Sequence, residues 1–123
     1  MNDQQIEQEI QAKGLTAPRV TPADIEANIV CAYYFTAENG VRGMAFAESR
    51  DGYRDIEVPL ELNLLTFCVL VLRNGFTVTG ESACASPENF DAELGRKIAR
   101  QNAVQKLWPL MGYALKDRLA NGN

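Results

Sequence analysis

The sequence predicts an α+β fold: an antiparallel sheet with a central Asn-Gly hairpin, packed against a long C-terminal helix kinked at Pro109, with short N-terminal helices. Three observations predict it. Residues 64–72 read Leu-Leu-Thr-Phe-Cys-Val-Leu-Val-Leu, and residues 76–82 return as a second β-rich run after Asn74-Gly75. Asn-Gly between two such runs is a strong hairpin signal, because both residues tolerate positive φ. Ser86-Pro87 then opens a helical pattern that carries Leu94, Ile98, Ala99, Ala103, Leu107 and Trp108.

From the N-terminus, Ile6 and Ile10 stand four apart among Gln and Glu, which predicts a short amphipathic helix over residues 1–13 with Gly14 as its stop. Residues 16–20 follow as a connector, so residues 1–20 form a peripheral helix and linker on a single domain spanning 1–123. Thr21-Pro22-Ala23-Asp24 is a helix start, with a capping hydroxyl, a proline at the first helical position and an early negative charge. Ile25 and Ile29 form its apolar stripe. Residues 30–35 fit either more helix or a strand, and their β-branched and aromatic content favours strand from about Tyr33. Glu38-Asn39-Gly40 is expected to be a turn, residues 41–47 a short strand, and Ser49-Arg50-Asp51-Gly52 another turn. Residues 55–60 alternate polar and apolar, but Pro59 confines them to an edge strand or a strand end.

A two-residue turn at Asn74-Gly75 would pair Val71 with Val78 and Val69 with Gly80. Phe67, Val69, Val71 and Val78 would then meet the helix. Thr66, Cys68, Leu70 and Leu72 would share a mixed, partly exposed face with Thr77, Thr79 and Glu81. Gly80 marks either a bulge or a close helix approach, and Gly95 a tight contact with the sheet. In the helix Ser86 is the expected cap, Pro87 the first residue, and Glu88, Asp91 and Glu93 the favourable early charges. Pro109 ends or kinks it, and a further segment carries Met111, Leu115 and Leu119.

Bulk properties exclude several functions. A chain of 123 residues, 46% hydrophobic and 23% charged, is long enough to bury a core without metal or disulfide support. No run of 18 apolar residues is present to span a membrane, and the polar start is no signal peptide, so a cytoplasmic location in whatever cell makes the protein is expected. A net charge of −4 disfavours general nucleic-acid binding. Cys31, Cys68 and Cys84 are odd in number and widely spaced, which fits neither a disulfide framework nor a zinc knuckle. Histidine is absent, which removes Ser-His and Cys-His nucleophilic pairs and histidine metal sites. No glycine-rich phosphate loop is present. The expectation is a non-enzyme, with no catalytic residue, cofactor or metal.

Several residues are candidates for ligand binding. Arg96, Lys97 and Arg100, joined by Arg73 from the turn, suit a phosphate-bearing ligand, since arginine forks bind phosphate bidentately. A solvated helix face balanced by Glu88, Asp91 and Glu93 is the commoner use of such a cluster. Asn102 either reads a base edge or is a polar boundary residue. Phe76 and Phe90 suit stacking on a planar ligand, although aromatics in such places more often belong to a core.

The string from Asn74 through Gly75-Phe76-Thr77-Val78-Thr79-Gly80-Glu81-Ser82-Ala83 to Cys84 carries a resemblance, with Pro87, Asn89-Phe90-Asp91, Gly95-Arg96 and Ala99. So does Trp108-Pro109-Leu110-Met111-Gly112-Tyr113, and upstream Thr21-Pro22-Ala23-Asp24-Ile25 also fits. Together these resemble a family of small tailed-phage accessory proteins named after gene products 49 and 66 of two phages. The layout of hairpin, Asn-Phe-Asp and Gly-Arg helix is also similar to the Thoeris anti-defence sponge proteins. That resemblance implies a non-enzymatic homo-oligomer that sequesters a cyclic nucleotide or cyclic ADP-ribose signal, with Arg or Lys on its phosphates, Phe90 or Phe76 on its base and Asn102 on its edge. A protein-interaction module that binds a host or phage protein is the alternative.

Overall fold

A computed structural model describes residues 2–49 and 56–122. Helix α1 spans Asp3–Ala12, and Asn2 and Gln5 form a reciprocal capping box at its start. Gly14 ends it in the left-handed region at φ +68°. Helix α2, Pro22–Asn28, begins as the sequence predicts: the Thr21 hydroxyl accepts from the Asp24 N–H, and the Asp24 carboxylate accepts from the Thr21 N–H. Strand β1, Ile29–Thr36, follows at once, so the ambiguous stretch is strand throughout.

Helix α3, Ala37–Glu48, replaces the turn and short strand expected over residues 38–47. Thr36 and Asn39 form a capping box here, so Asn39, which looks like a turn residue beside Gly40, instead caps a helix. The expected turn at 49–52 and the first residue of the expected 55–60 strand fall largely outside the described residues. Its remainder is not a strand: residues 56–59 are irregular, and Leu60–Leu64 form a 3-10 turn behind Pro59.

Strands β2 (Leu65–Leu72) and β3 (Thr77–Ala83) complete a three-stranded antiparallel sheet in the order β1-β2-β3. The hairpin is where predicted, but its register is one residue off. The loop has three residues, Arg73-Asn74-Gly75, closed by Gly75 N–H to the Leu72 carbonyl and Leu72 N–H to the Phe76 carbonyl, each at 2.9 Å. Gly75 sits at φ +88°, the left-handed position that such a loop requires. Val71 therefore pairs with Thr77, Val69 with Thr79 and Leu70 with Val78.

A one-residue slip exchanges the faces of a strand. Thr66, Cys68, Leu70 and Leu72 are buried with Val78 and Gly80, while Phe67, Val69 and Val71 share the outer face with Thr77, Thr79 and Glu81. On β1 the outer neighbours of these residues are Cys31, Tyr33 and Phe35.

Helix α4, Ala92–Ala120, crosses the inner face of β2 and β3. Residues 87–89 form a separate 3-10 turn, and the cap of α4 is Asp91, which accepts from the Leu94 N–H at 3.1 Å, rather than Ser86. Its buried ridge is Gly95, Ala99, Ala103 and Leu107, one residue every fourth position, while Leu94 and Ile98 stay exposed. The ridge is small because the helix lies against backbone: a Cβ on Gly80 would sit 2.3 Å from both the Ala103 nitrogen and the Ala99 oxygen. Of the two readings of Gly80, close helix approach is therefore correct. The helix runs on through Pro109, which is exposed, and ends at Asn121. Ile25, Cys68, Leu70, Leu72, Val78 and Leu107 fill the core around this contact. Full burial of Leu70 or Leu107 contributes about 1.5–3 kcal/mol each.

Candidate functional site

The sheet and α4 bring four segments to one end of the hairpin, where they enclose a cleft of about 430 Å³. That volume lies within the roughly 300–1,000 Å³ range of small-molecule sites. The connector supplies Arg19 and Val20, α2 supplies Asp24, Ala27 and Asn28, and the hairpin loop supplies Arg73 and Asn74. The fourth wall is one face of α4, with Met111, Ala114, Leu115 and Arg118 at helical spacing.

Each wall is fixed by local bonds. The Arg73 N–H donates to the Asn28 backbone carbonyl at 3.1 Å and to its side-chain oxygen at 3.2 Å, which locks the loop onto the end of α2. The Asn28 amide nitrogen reaches the Met111 sulfur at 3.5 Å. Asn74 accepts from the Phe76 N–H at 2.9 Å, which sets the loop. Arg118 lies in the last turn of α4, where the helix dipole favours a cation.

Among the described residues three arginines thus line a cleft in an acidic protein, and they are not equivalent. Arg19 makes a two-pronged contact with the Glu7 carboxylate, its second prong 2.8 Å long. That contact, helped by the Gln11 amide, holds the Glu7 carboxyl at about 2, well below its ordinary 4.5. Among the described residues no hydrogen bond or ion pair engages the side chain of Arg73 or Arg118. Among the described residues Asp24 is the one carboxylate in the lining, and the Thr21 N–H donates to it at 2.9 Å.

The predicted ligand residues fall in different places. Arg73 lies in the cleft. Lys97 and Arg100 border a broad depression of about 670 Å³ beside α1, together with Asp3 and Glu26. Arg100 donates to Glu26 at 2.9 Å and lies 3.5 Å from the Tyr34 hydroxyl, while Lys97 pairs with Glu93 at 3.3 Å. Arg96 is exposed on the same helix. The Asn102 side chain donates to the Glu81 carbonyl at 2.7 Å and ties α4 to β3. Phe90 is half-buried in a small cavity of about 200 Å³ at the start of α4, near Cys84 and Leu94. Phe76 is exposed at the hairpin tip.

Arg19, Arg118 and Asn28 escaped the sequence reading. The spacing of Met111, Ala114, Leu115 and Arg118 was the available signal for the α4 wall, since it places a cation on the same face as apolar residues. Cys31, Cys68 and Cys84 are all free. Among the described residues no three His, Cys, Asp or Glu side chains gather as a metal site.

The class these features define is a small α+β protein with an arginine-lined cleft, and among the described residues no helix is long and apolar enough to cross a membrane. Residues 20–119 match the model of the Phage protein (N4 Gp49/phage Sf6 gene 66) family, and the chain belongs to that family. The matched span takes in the hairpin, α2 and nearly all of α4, and every wall of the cleft except Arg19. No curated protein and no solved structure matches the chain.

Proposed function

We propose that this phage protein is a non-enzymatic binder that sequesters a small nucleotide-derived immune signal, of the cyclic nucleotide or cyclic ADP-ribose type, and so counters host defence. The observation that carries the reading is the pair Arg73 and Arg118, two arginines that line one small cleft and whose side chains have no partner among the described residues. Their positions suit a phosphate group, and the Asn28 and Asn74 amides beside them suit a ribose or base edge. Among the described residues the lining holds no aromatic ring, so within one chain a base has Val20, Met111 and Leu115 to lie against. Homo-oligomer formation belongs to this reading, with Tyr33, Phe35, Val69 and Val71 on the outer sheet face as the apolar surface available to it.

Isothermal titration with a panel of cyclic nucleotides and cyclic ADP-ribose isomers tests it. A member is expected to bind with a Kd below about 10 µM, roughly −7 kcal/mol. Arg73→Ala and Arg118→Ala should each weaken that binding about 10-fold or more, as a lost charged hydrogen bond does. The ligand should be recovered chemically unchanged. No binding by any member overturns the proposal.

The second reading is a module that docks a host or phage protein, and the same apolar outer face favours it. One stoichiometric protein partner recovered from infected cells, with binding lost on Tyr33→Asp and no small-molecule heat, would select it.

A further inference from the structure

Helix α1 bears directly on the arginine cleft. It buries none of its residues fully, and Ile6 remains substantially exposed. Two polar anchors hold it. Asp3 accepts from the Trp108 ring N–H at 3.1 Å and from the Gln105 amide at 3.3 Å. Glu7 holds Arg19, a residue of the cleft lining. The Glu7 side chain is only 11% exposed, so its carboxylate is enclosed by this contact.

A carboxylate gripped bidentately by a guanidinium has the geometry that arginine also offers to phosphate. Glu7 and the cleft therefore compete for the same guanidinium. Resting on the anion-binding reading above, we propose that the cleft selects ligands with two linked phosphate groups. One phosphate lies between Arg73 and Arg118, and the other displaces Glu7 from Arg19 and frees α1. A single phosphate satisfies the first pair and leaves α1 docked. Arg19 is thus a conditional binding residue, and Glu7 is an internal stand-in for the second phosphate.

Release has a readable consequence. Isolated helices shorter than about 12–15 residues are marginal in water, and α1 has 10 residues. Held then only by its Asp3 anchor, it frays, so its backbone amides report the state of Glu7.

The test uses the full chain with inorganic pyrophosphate and orthophosphate as probes. Titration gives affinity, and hydrogen exchange of residues 3–12 gives α1 docking. Pyrophosphate is expected to bind at least about 10-fold more tightly than orthophosphate, and only pyrophosphate should deprotect α1. Glu7→Gln should raise pyrophosphate affinity about 5-fold or more without altering orthophosphate affinity. Arg19→Gln should abolish the preference between the two. If α1 stays protected at saturating pyrophosphate, or Glu7→Gln leaves its affinity unchanged, the inference falls. In that case orthophosphate binding that still depends on Arg73 and Arg118 preserves the cleft as an anion site. If neither anion binds, the inference and the anion site fall together.

Discussion

Gly80→Ala tests the contact on which the fold closes. The new methyl carbon would stand 2.3 Å from the Ala99 oxygen, 2.3 Å from the Ala103 nitrogen and 2.8 Å from the Ala103 Cα. All three are backbone atoms of α4, so no side-chain rotation relieves the clash. Ordinary contact between such atoms needs about 3.5 Å, so α4 must retreat by about 1 Å along β3. A gap of roughly 0.5–1 Å forfeits a quarter to a half of the dispersion energy across it, and the Ala99-Ala103-Leu107 ridge lies on that gap. Overpacking alone costs about 1–3 kcal/mol. With the loosened ridge the loss should reach about 3 kcal/mol or more, out of a total stability on the order of 5–15 kcal/mol. Urea unfolding measures it. With a slope of about 2 kcal/mol per molar, the midpoint should fall by about 1.5 M. A fall of less than about 0.3 M at unchanged slope would refute the argument, and with it the close approach of α4 to β3.

Two further outcomes follow from other parts of the molecule. Gly43 lies inside α3 with nothing within 4 Å of the position of an added Cβ, so Gly43→Ala should stabilise the protein by about 0.5–1 kcal/mol, measured as a higher thermal midpoint. Glu7 has its folded-state carboxyl lowered to about 2 from 4.5, chiefly by Arg19 and then by Gln11. A lowered acid stabilises above its unfolded value and loses that contribution as pH falls through the folded value. Exchange protection of α1 should therefore be constant from pH 8 to 5 after correction for intrinsic rates, and should decline between pH 4.5 and 2. Glu7→Gln should reduce this acid-dependent decline, the Asp3 contact with Trp108 and Gln105 being left in place.

Local chemistry made much of the fold legible. The Thr21-Pro22-Ala23-Asp24 cap, the Asn74-Gly75 reversal and the α4 pattern are signals confined to a few neighbouring residues, and each element formed, although α4 starts at Ala92 behind Asp91 rather than at Pro87. Two errors share a cause, which is that a local signal allowed two outcomes and tertiary packing chose between them. Asn39-Gly40 has turn composition, yet Thr36 three residues earlier converts Asn39 into half of a capping box. Asn-Gly also serves both two- and three-residue loops. The core decided the register. Cys68 and Gly80, paired directly, are small enough to let α4 approach, whereas Val69 and Val71 in the same place would hold it off.

The candidate site was less legible because its cations come from opposite ends of the chain. Arg19, Arg73 and Arg118 share no local pattern, and only packing α4 and α2 beside the hairpin loop brings them together. The cluster that does show a pattern, Arg96-Lys97 and Arg100, illustrates why density of charge is a poor guide. Arg100 already has Glu26 and Tyr34, and Lys97 already has Glu93. An anion there would have to displace these partners, whereas among the described residues the side chains of Arg73 and Arg118 have none. Whether an arginine of this chain already has a partner depends on carboxylates such as Glu26, 74 residues away in sequence from the arginine it satisfies.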